Sequence, residues 1–250
     1  MSDLIIHLSD LKLPYIRDNH EAVAQLAARK QWDHVHYLSE LAREEANLKK
    51  DRLIQRRIGM ARFPVIKILD TFDWSWPKKI NKPQIQNLFL LKFIEDRSNV
   101  VFIGGVGVGK THLASALGYQ ACLKGQTVLF ASAIDVINNL IAAQRGERLK
   151  QELKKYQKPS LLILDELGYL PIDKTGADLL FQIISQRYER GSVVITTNRV
   201  FKDWPAIFNN DSTLTSALLD RLLHHSVIFN IQGDSYRVKR RNQKSTGEKS

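Results

Sequence analysis

Apolar residues recur along this chain in two rhythms. From about residue 86 onward, short and almost wholly apolar runs alternate with longer segments whose apolar residues recur every three or four positions. Unbroken runs of this kind are typical of strands buried on both faces of a parallel sheet, and the longer spacing is typical of covering helices. The predicted strands are NVVFIGG, TVLFA, LLILDE, VVITTN and SVIFNI. The pattern therefore predicts an α/β fold with a parallel sheet.

The first part of the chain has the helical spacing alone. Asp18 with Glu21 resembles a capping pair and predicts a helix start there. A second helix is predicted from about residue 39 to residue 61, because Pro64 follows soon after. The predicted domains are a helical N-terminal domain at 1–65, a core at 66–236 and a basic C-terminal tail at 237–250.

Composition and charge indicate the cellular compartment of the protein and the kind of partner that it binds. The chain has 37 Lys and Arg against 26 Asp and Glu, a net charge of +11, and such a basic protein often binds a polyanion. A single cysteine, Cys122, excludes an internal disulfide, and the N-terminus has no signal-peptide pattern. No apolar run reaches membrane-spanning length. We therefore expect a reducing, cytoplasmic setting and no membrane partner.

The segment GGVGVGKT at 104–111 fits the phosphate-loop pattern and lies between a predicted strand and a predicted helix. Glycines allow backbone N–H groups to converge on phosphates, and the helix N-terminus adds partial positive charge. Lys110 would supply a full charge to the outer phosphates, and the Thr111 hydroxyl would coordinate Mg²⁺. The predicted nucleotide-binding residues here are Gly104, Gly105, Val106, Gly107, Val108, Gly109, Lys110, Thr111 and His112.

Polar side chains end two later strands of the predicted sheet. Asp165 and Glu166 end LLILDE, 55 residues after Lys110. Asp165 would hold the Mg²⁺ shell, and Glu166 would polarise an attacking water as general base. Asn198 ends VVITTN and would hydrogen-bond the γ-phosphate or that water, although a simple turn residue is the alternative. The second carboxylate favours a hydrolase over a protein that only binds nucleotide.

Five segments carry a resemblance to a known family, in the order GGVGVGKT, LLILDELGYLP, FQIISQRYERGSVVITTN, ALLDRLLHHS and GDSYR. They resemble the IstB-like AAA+ ATPases, which are encoded beside the transposase of bacterial insertion sequences and are similar to DnaC-type helicase loaders. The resemblance covers nearly the whole chain. It implies a P-loop AAA+ core whose five-stranded parallel sheet has the order 5-1-4-3-2, with ATP and Mg²⁺ as ligands.

The resemblance also assigns residues that the pattern leaves open. It implies that the segment from Thr71 to Trp74, which includes Phe72, lies near the adenine. It also implies that Arg221 is an arginine finger reaching a neighbouring subunit's nucleotide, and that Arg237 occupies the sensor-2 position. From the residues alone, a surface ion pair is an equal alternative for Arg221. The phosphate loop GGVGVGKT differs from the GPPGTGKT common in AAA+ proteins but keeps the consensus glycines and lysine, so we expect binding to survive.

Basic residues concentrate in the N-terminal helix, in the insertion between the second and third strands, and in the tail. Several cations on one face would bind DNA phosphates without sequence preference, although a solvated helix face is the alternative for each stretch. Few aromatics lie among them, which favours duplex DNA over stacking on single strands. The candidates are Lys49, Lys50, Arg52, Arg56, Arg57, Arg145, Arg148, Lys150 and Lys154.

The resemblance, together with the phosphate site and the basic stretches, implies an ATP-dependent helper of transposition. It would self-associate through bridging ATP, assemble on duplex DNA, and recruit or activate a transposase. A replicative helicase loader of the DnaC type is the first alternative. A DNA-binding scaffold that senses nucleotide without hydrolysing it is the second.

Overall fold

The computed structural model describes residues 3–236 and residue 238, and the chain divides into two compact units after Arg56. Arg237 and the tail at 239–250 lie outside the described residues. The division falls within a long helix, whereas the sequence predicts a boundary after that helix, at residue 65. The last turn of the helix belongs to the second unit because Ala61 is fully buried in its core.

The first unit is built from helices, namely α1 (Asp3–Asp10), α2 (Pro14–Lys30) and most of α3 (His34–Ala61). Pro14 stands at the start of α2, where its missing N–H removes no helical hydrogen bond. The predicted start at Asp18 is therefore wrong, and that carboxylate lies inside α2, where it accepts from Arg17 at 2.7 Å. Helix α3 begins before residue 39 because the Asp33 side chain accepts the His36 N–H at 2.7 Å.

The second unit alternates strands and helices as the apolar runs predict. Its elements are α4 (Lys82–Leu88), α5 (Lys92–Glu95), β1 (Asn99–Gly104), α6 (Lys110–Leu123), β2 (Val128–Ser132), α7 (Ala133–Arg145), α8 (Leu149–Gln157), β3 (Leu161–Leu167), α9 (Lys174–Arg187), β4 (Ser192–Thr197), α10 (Trp204–Ile207), α11 (Ser212–Leu223) and β5 (Ser226–Ile231). None of the helices in the described part of the chain is long and apolar enough to span a membrane.

The strands form one parallel sheet of order β2-β3-β4-β1-β5, which confirms the predicted order read from the opposite edge. Apolar clusters cover both faces, so strand residues such as Val100 and Ile163 are wholly buried. Burial on both faces explains why the strands read as continuous apolar runs rather than alternating ones. Since all strands run the same way, their carboxyl ends meet at one edge.

The ladder between β3 and β4 contains a bulge at that edge. Leu164 pairs with Ile195, and the next pair is Leu167 with Thr197, so two residues of β3 lie opposite one residue of β4. Bulges of this kind re-aim side chains and are frequent beside active sites.

A buried arginine ties α8 and α9 to the ends of the strands. Arg187 is 2% exposed, and its guanidinium donates to five backbone carbonyls at 2.8–3.2 Å. These carbonyls belong to Tyr156, Gln157, Pro159, Ser160 and Ser192. The first three lie at or just beyond the C-terminal end of α8, where helical carbonyls lack intrahelical donors.

Candidate active site

A cavity of about 990 Å³ opens at the carboxyl edge of the sheet. It lies within the second unit and is lined by the phosphate loop, by the segment that precedes α4, and by residues that follow β3 and β4. Among the predicted site residues, the cavity lining includes Phe72, Val106, Gly107, Val108, Gly109, Lys110, Thr111, His112, Glu166 and Asn198. The topology therefore brings most of the predicted site residues to one cavity.

The phosphate loop wraps from the end of β1 to the first turn of α6. Gly109 has φ +100°, a left-handed conformation that favours glycine, and it begins the helix. The Lys110 ammonium donates to the carbonyls of Gly104 and Gly105 at 2.8 and 2.7 Å. Those two glycines hold the lysine and are not among the residues that line the cavity, while Val108 is 2% exposed and anchors the loop in the core.

Asp165 lies behind the phosphate loop and is 7% exposed. Its Oδ1 accepts the hydroxyls of Thr111 at 3.0 Å and Thr196 at 2.5 Å. Hydroxyl and carboxylate oxygens are the donors that Mg²⁺ prefers in phosphate sites. The donor set at Thr111 and Asp165 therefore fits Mg²⁺.

Glu166 follows directly and points the other way from its neighbour. It is exposed and lines the cavity, whereas Asp165 is buried, and its φ of +60° belongs to the bulge. Its backbone N–H donates to the Thr196 hydroxyl at 2.9 Å. Sequence reasoning missed Thr196, although the two threonines that follow the apolar run of β4 were a signal that could have identified it.

Asn198 lies just beyond β4, exposed at the cavity wall. The strand end is fixed because the Thr197 hydroxyl accepts the Arg199 N–H at 3.1 Å. Asn198 thus faces the same space as Glu166 and the phosphate loop.

The irregular segment before α4 covers one side of the cavity. The rings of Phe72 and His112 meet edge to face at 5.3 Å, and the His112 Nε2 is 3.1 Å from the Ile68 carbonyl. Burial lowers the pKa of His112, and Lys67 lowers it further, while the hydrogen bond with Ile68 acts in the opposite direction. The imidazole therefore takes up a proton less readily than a free one, and it lies beside an aromatic surface.

Two aromatic residues that sequence reasoning did not place also line the cavity. Trp76 and Tyr236 have ring centroids 6.0 Å apart. The Tyr236 N–H donates to the Gly107 carbonyl at 3.0 Å, so the described part of the GDSYR segment lies against the phosphate loop. Only the motif order signalled this contact, because the two segments are distant along the chain.

Arg221 lies on α11 and is not among the residues that line the cavity. Its guanidinium carbon lies 4.9 Å from the Phe181 ring centroid, and it donates to the Ala217 carbonyl at 2.9 Å. The structure therefore does not bring Arg221 to the nucleotide site of its own chain. Arg237, for which the sequence analysis expects the sensor-2 position, lies outside the described residues.

The predicted DNA-contacting cations occupy two surfaces. Those on α3 within the first unit are exposed, namely Lys49, Lys50, Arg52 and Arg56. Those at the end of α7, in the α7–α8 turn and along α8 are also exposed, namely Arg145, Arg148, Lys150 and Lys154. Arg57 differs because it is half-buried and lies close enough to the Cys122 thiol to lower its pKa against the effect of burial.

Comparison with protein families gives one match that spans most of the chain. Residues 6–244 match the family described as IstB-like ATP binding protein. A protein of Bacillus thuringiensis subsp. berliner, named as an ATP-binding protein of insertion sequence IS232, is 40% identical over 94% of each chain. One of Geobacillus stearothermophilus, named for insertion sequence IS5376, is 38% identical over 92% of this chain and 91% of its own.

Comparison with solved structures identifies the fold. The crystal structure of the DnaC helicase loader has a TM-score of 0.54 and 24% identity, covering 66% of this chain and 96% of the other. At this identity the likeness concerns the fold alone. It agrees with the sheet order and with the phosphate loop between β1 and α6.

Proposed function

This chain belongs to the IstB-like ATP-binding proteins, and from that premise we propose that it is an ATP-hydrolysing helper of transposition. The observation that carries the proposal is the shared cavity, in which the phosphate loop, Glu166 and Asn198 face one another while Asp165 lies directly behind. Binding alone would not need a second carboxylate. An exposed Glu166 beside a bound triphosphate has the placement of a general base.

Each residue has a role that follows from its position. Lys110 and the loop N–H groups bind the phosphates, and Thr111 with Asp165 would hold Mg²⁺, which when bound neutralises phosphate charge. Glu166 accepts a proton from the attacking water, and Asn198 orients that water or the γ-phosphate. The rings of Phe72 and His112 offer an aromatic wall to the base.

Replacing the proposed general base tests hydrolysis directly. Glu166→Gln removes the proton acceptor and keeps the size of the side chain, so we expect kcat to fall by about 100-fold or more while ATP affinity stays similar. The measurement is phosphate release with Mg²⁺, with and without duplex DNA. Glu95→Gln, an exposed glutamate outside the cavity lining, is the matched control. Undiminished turnover in Glu166→Gln would exclude the role.

We propose that ATP bridges neighbouring copies through Arg221, because that residue does not line its own cavity. Arg221→Ala should bind ATP normally and lose assembly-dependent hydrolysis, and Lys110→Ala should fail to bind ATP. Mixing the two inactive variants creates interfaces with an intact nucleotide site on one side and an intact arginine on the other. Recovery of part of the hydrolysis supports action in trans, and a mixture as inactive as its components contradicts it.

We propose that the α7–α8 turn contacts duplex DNA through its exposed cations. The double variant Arg145→Ala with Lys150→Ala should weaken duplex binding and flatten its dependence on salt by a slope of about 2. A second double variant, Lys174→Ala with Lys202→Ala, removes two exposed charges elsewhere in the unit as a control. An equal loss of duplex affinity in both double variants would show that net charge, and not this surface, is responsible.

The alternative of a helicase loader uses the same ATP chemistry and differs in its nucleic acid. Affinity for long duplex and single-stranded DNA, measured with ATP at one salt concentration, separates the two. Strong single-strand preference would contradict the transposition proposal. Recruitment of a transposase is proposed from the insertion-sequence names of the relatives, and stimulation of ATP hydrolysis by the purified transposase of the same element tests it.

A further inference from the structure

One threonine of β4 contacts both acidic residues of β3. Thr196 is 0% exposed and lies opposite the bulge, so that Asp165 and Glu166 share it as their partner across the ladder. Its hydroxyl donates to Asp165 Oδ1 at 2.5 Å and accepts the Glu166 N–H at 2.9 Å. A hydroxyl has one donor and two acceptor lone pairs, so both bonds form at once.

The first bond fixes the carboxylate that would hold Mg²⁺. Asp165 Oδ1 accepts from Thr111 on the phosphate-loop side and from Thr196 on the sheet side. Hydrogen bonds to a charged acceptor are short and strong, so the two hydroxyls restrict rotation of the carboxylate. Partners that orient a metal ligand in this way tune its metal affinity.

The second bond fixes the backbone of the general base. Glu166 has φ +60°, which costs a residue with a Cβ about 1–2 kcal/mol in the absence of compensation. The Thr196 hydroxyl accepts the N–H of this residue and thereby stabilises the bulge. Because the bulge turns the Glu166 side chain into the cavity, a loosened bulge would misplace the base.

We infer that Thr196 is a positioning residue that couples the magnesium carboxylate to the general base through one hydroxyl. The inference rests on the proposed hydrolysis for the role of Glu166. Packing by itself does not require a hydroxyl at this position, because Ile195, the preceding residue of β4, is apolar and equally buried. Valine, which has nearly the shape of threonine, would satisfy packing.

The test compares Thr196→Val and Thr196→Ala with Thr196→Ser. The first readout is the Mg²⁺ concentration that gives half-maximal binding of a fluorescent ATP analogue, and the second is steady-state ATP hydrolysis. We expect both hydroxyl-free variants to need about tenfold more Mg²⁺ and to lose about tenfold or more in kcat. At saturating Mg²⁺ the KM for ATP should stay within about threefold, because ground-state phosphate contacts are intact. Thr196→Ser should behave as the wild type.

A matched control removes a buried hydroxyl elsewhere. Thr215 is 2% exposed and its hydroxyl donates to the Asp211 carbonyl at 2.6 Å at the start of α11, so Thr215→Val should change neither readout. Unchanged Mg²⁺ dependence and kcat in folded Thr196→Val or Thr196→Ala would overturn the inference, as would a Thr196→Ser variant as impaired as they are. If the wild type itself shows no turnover, the proposed hydrolysis fails, and the Mg²⁺ dependence of binding still decides the role of Thr196 toward Asp165.

Discussion

Replacing the buried arginine of the core by lysine should destabilise the fold although charge is retained. The Arg187 guanidinium donates hydrogen bonds to five backbone carbonyls. The bonds to the carbonyls of Tyr156 and Ser192 are fully buried. Burial lowers the pKa of Arg187 to about 10, because a cation loses its hydration in the core. Its retention depends on the hydrogen bonds.

The expected magnitude follows from counting donors. Nη1 donates to three of these carbonyls and Nη2 to two, so four N–H groups are shared among five acceptors, whereas an ammonium has only three N–H groups. Arg187→Lys therefore removes at least one donor. Since a hydrogen bond to a charged group contributes roughly 1.5–3 kcal/mol, we expect a loss of about that size or more. The burial cost of the charge is not recovered, because lysine is also a cation.

Urea unfolding, followed by circular dichroism and by the fluorescence of buried Trp204, measures the change. Arg190→Lys is the control, because Arg190 is exposed and lies on the same turn, and it should change the free energy of unfolding by less than about 0.5 kcal/mol. A loss below about 1 kcal/mol for Arg187→Lys would refute the assignment of the carbonyl contacts as the reason for this arginine.

Three further predictions concern the site and its surroundings. Gly109→Ala should lower the free energy of unfolding by about 1–3 kcal/mol, because φ is +100° and the new Cβ would lie 2.6 Å from the Phe72 ring. In Gly105→Ala the new Cβ meets no atom closer than 3.9 Å, so this control should leave the free energy of unfolding unchanged in the same urea titration. The pKa of His112 is lowered in the native state, so the unfolded chain takes up a proton there first as the pH falls below about 6.5, and the free energy of unfolding should decrease through that range. His112→Asn should therefore flatten the pH dependence of the urea midpoint between pH 7.5 and 5.5. Parallel profiles for the variant and the wild type would contradict this. Burial raises the pKa of the Cys122 thiol to about 11, so iodoacetamide at pH 8 should label the native protein about 100-fold more slowly than the urea-unfolded chain, and equal rates would show the thiol to be accessible.

Local patterns in the sequence were sufficient for the elements that carry the site. Continuous apolar runs predicted the strands because burial on both faces of a parallel sheet selects apolar residues at every position. The phosphate loop was predictable because its glycines, Lys110 and Thr111 act within one turn of backbone. The capping pair at Asp18 failed as a signal because Pro14, an earlier and stronger helix start, lies upstream.

Contacts between distant segments were not predictable in the same way. Thr196 reaches Asp165 across 31 residues, and the Tyr236 N–H reaches the Gly107 carbonyl from the far end of the core. The bulge that places both acids opposite one threonine depends on the pairing of two strands, and Arg187 is buried only because α8, α9 and two strand ends converge on it. The sequence by itself determined which residues could bind a triphosphate, since that chemistry is local. Tertiary structure decided how those residues are held and which of them face one another, because register and burial arise only when strands and helices pack.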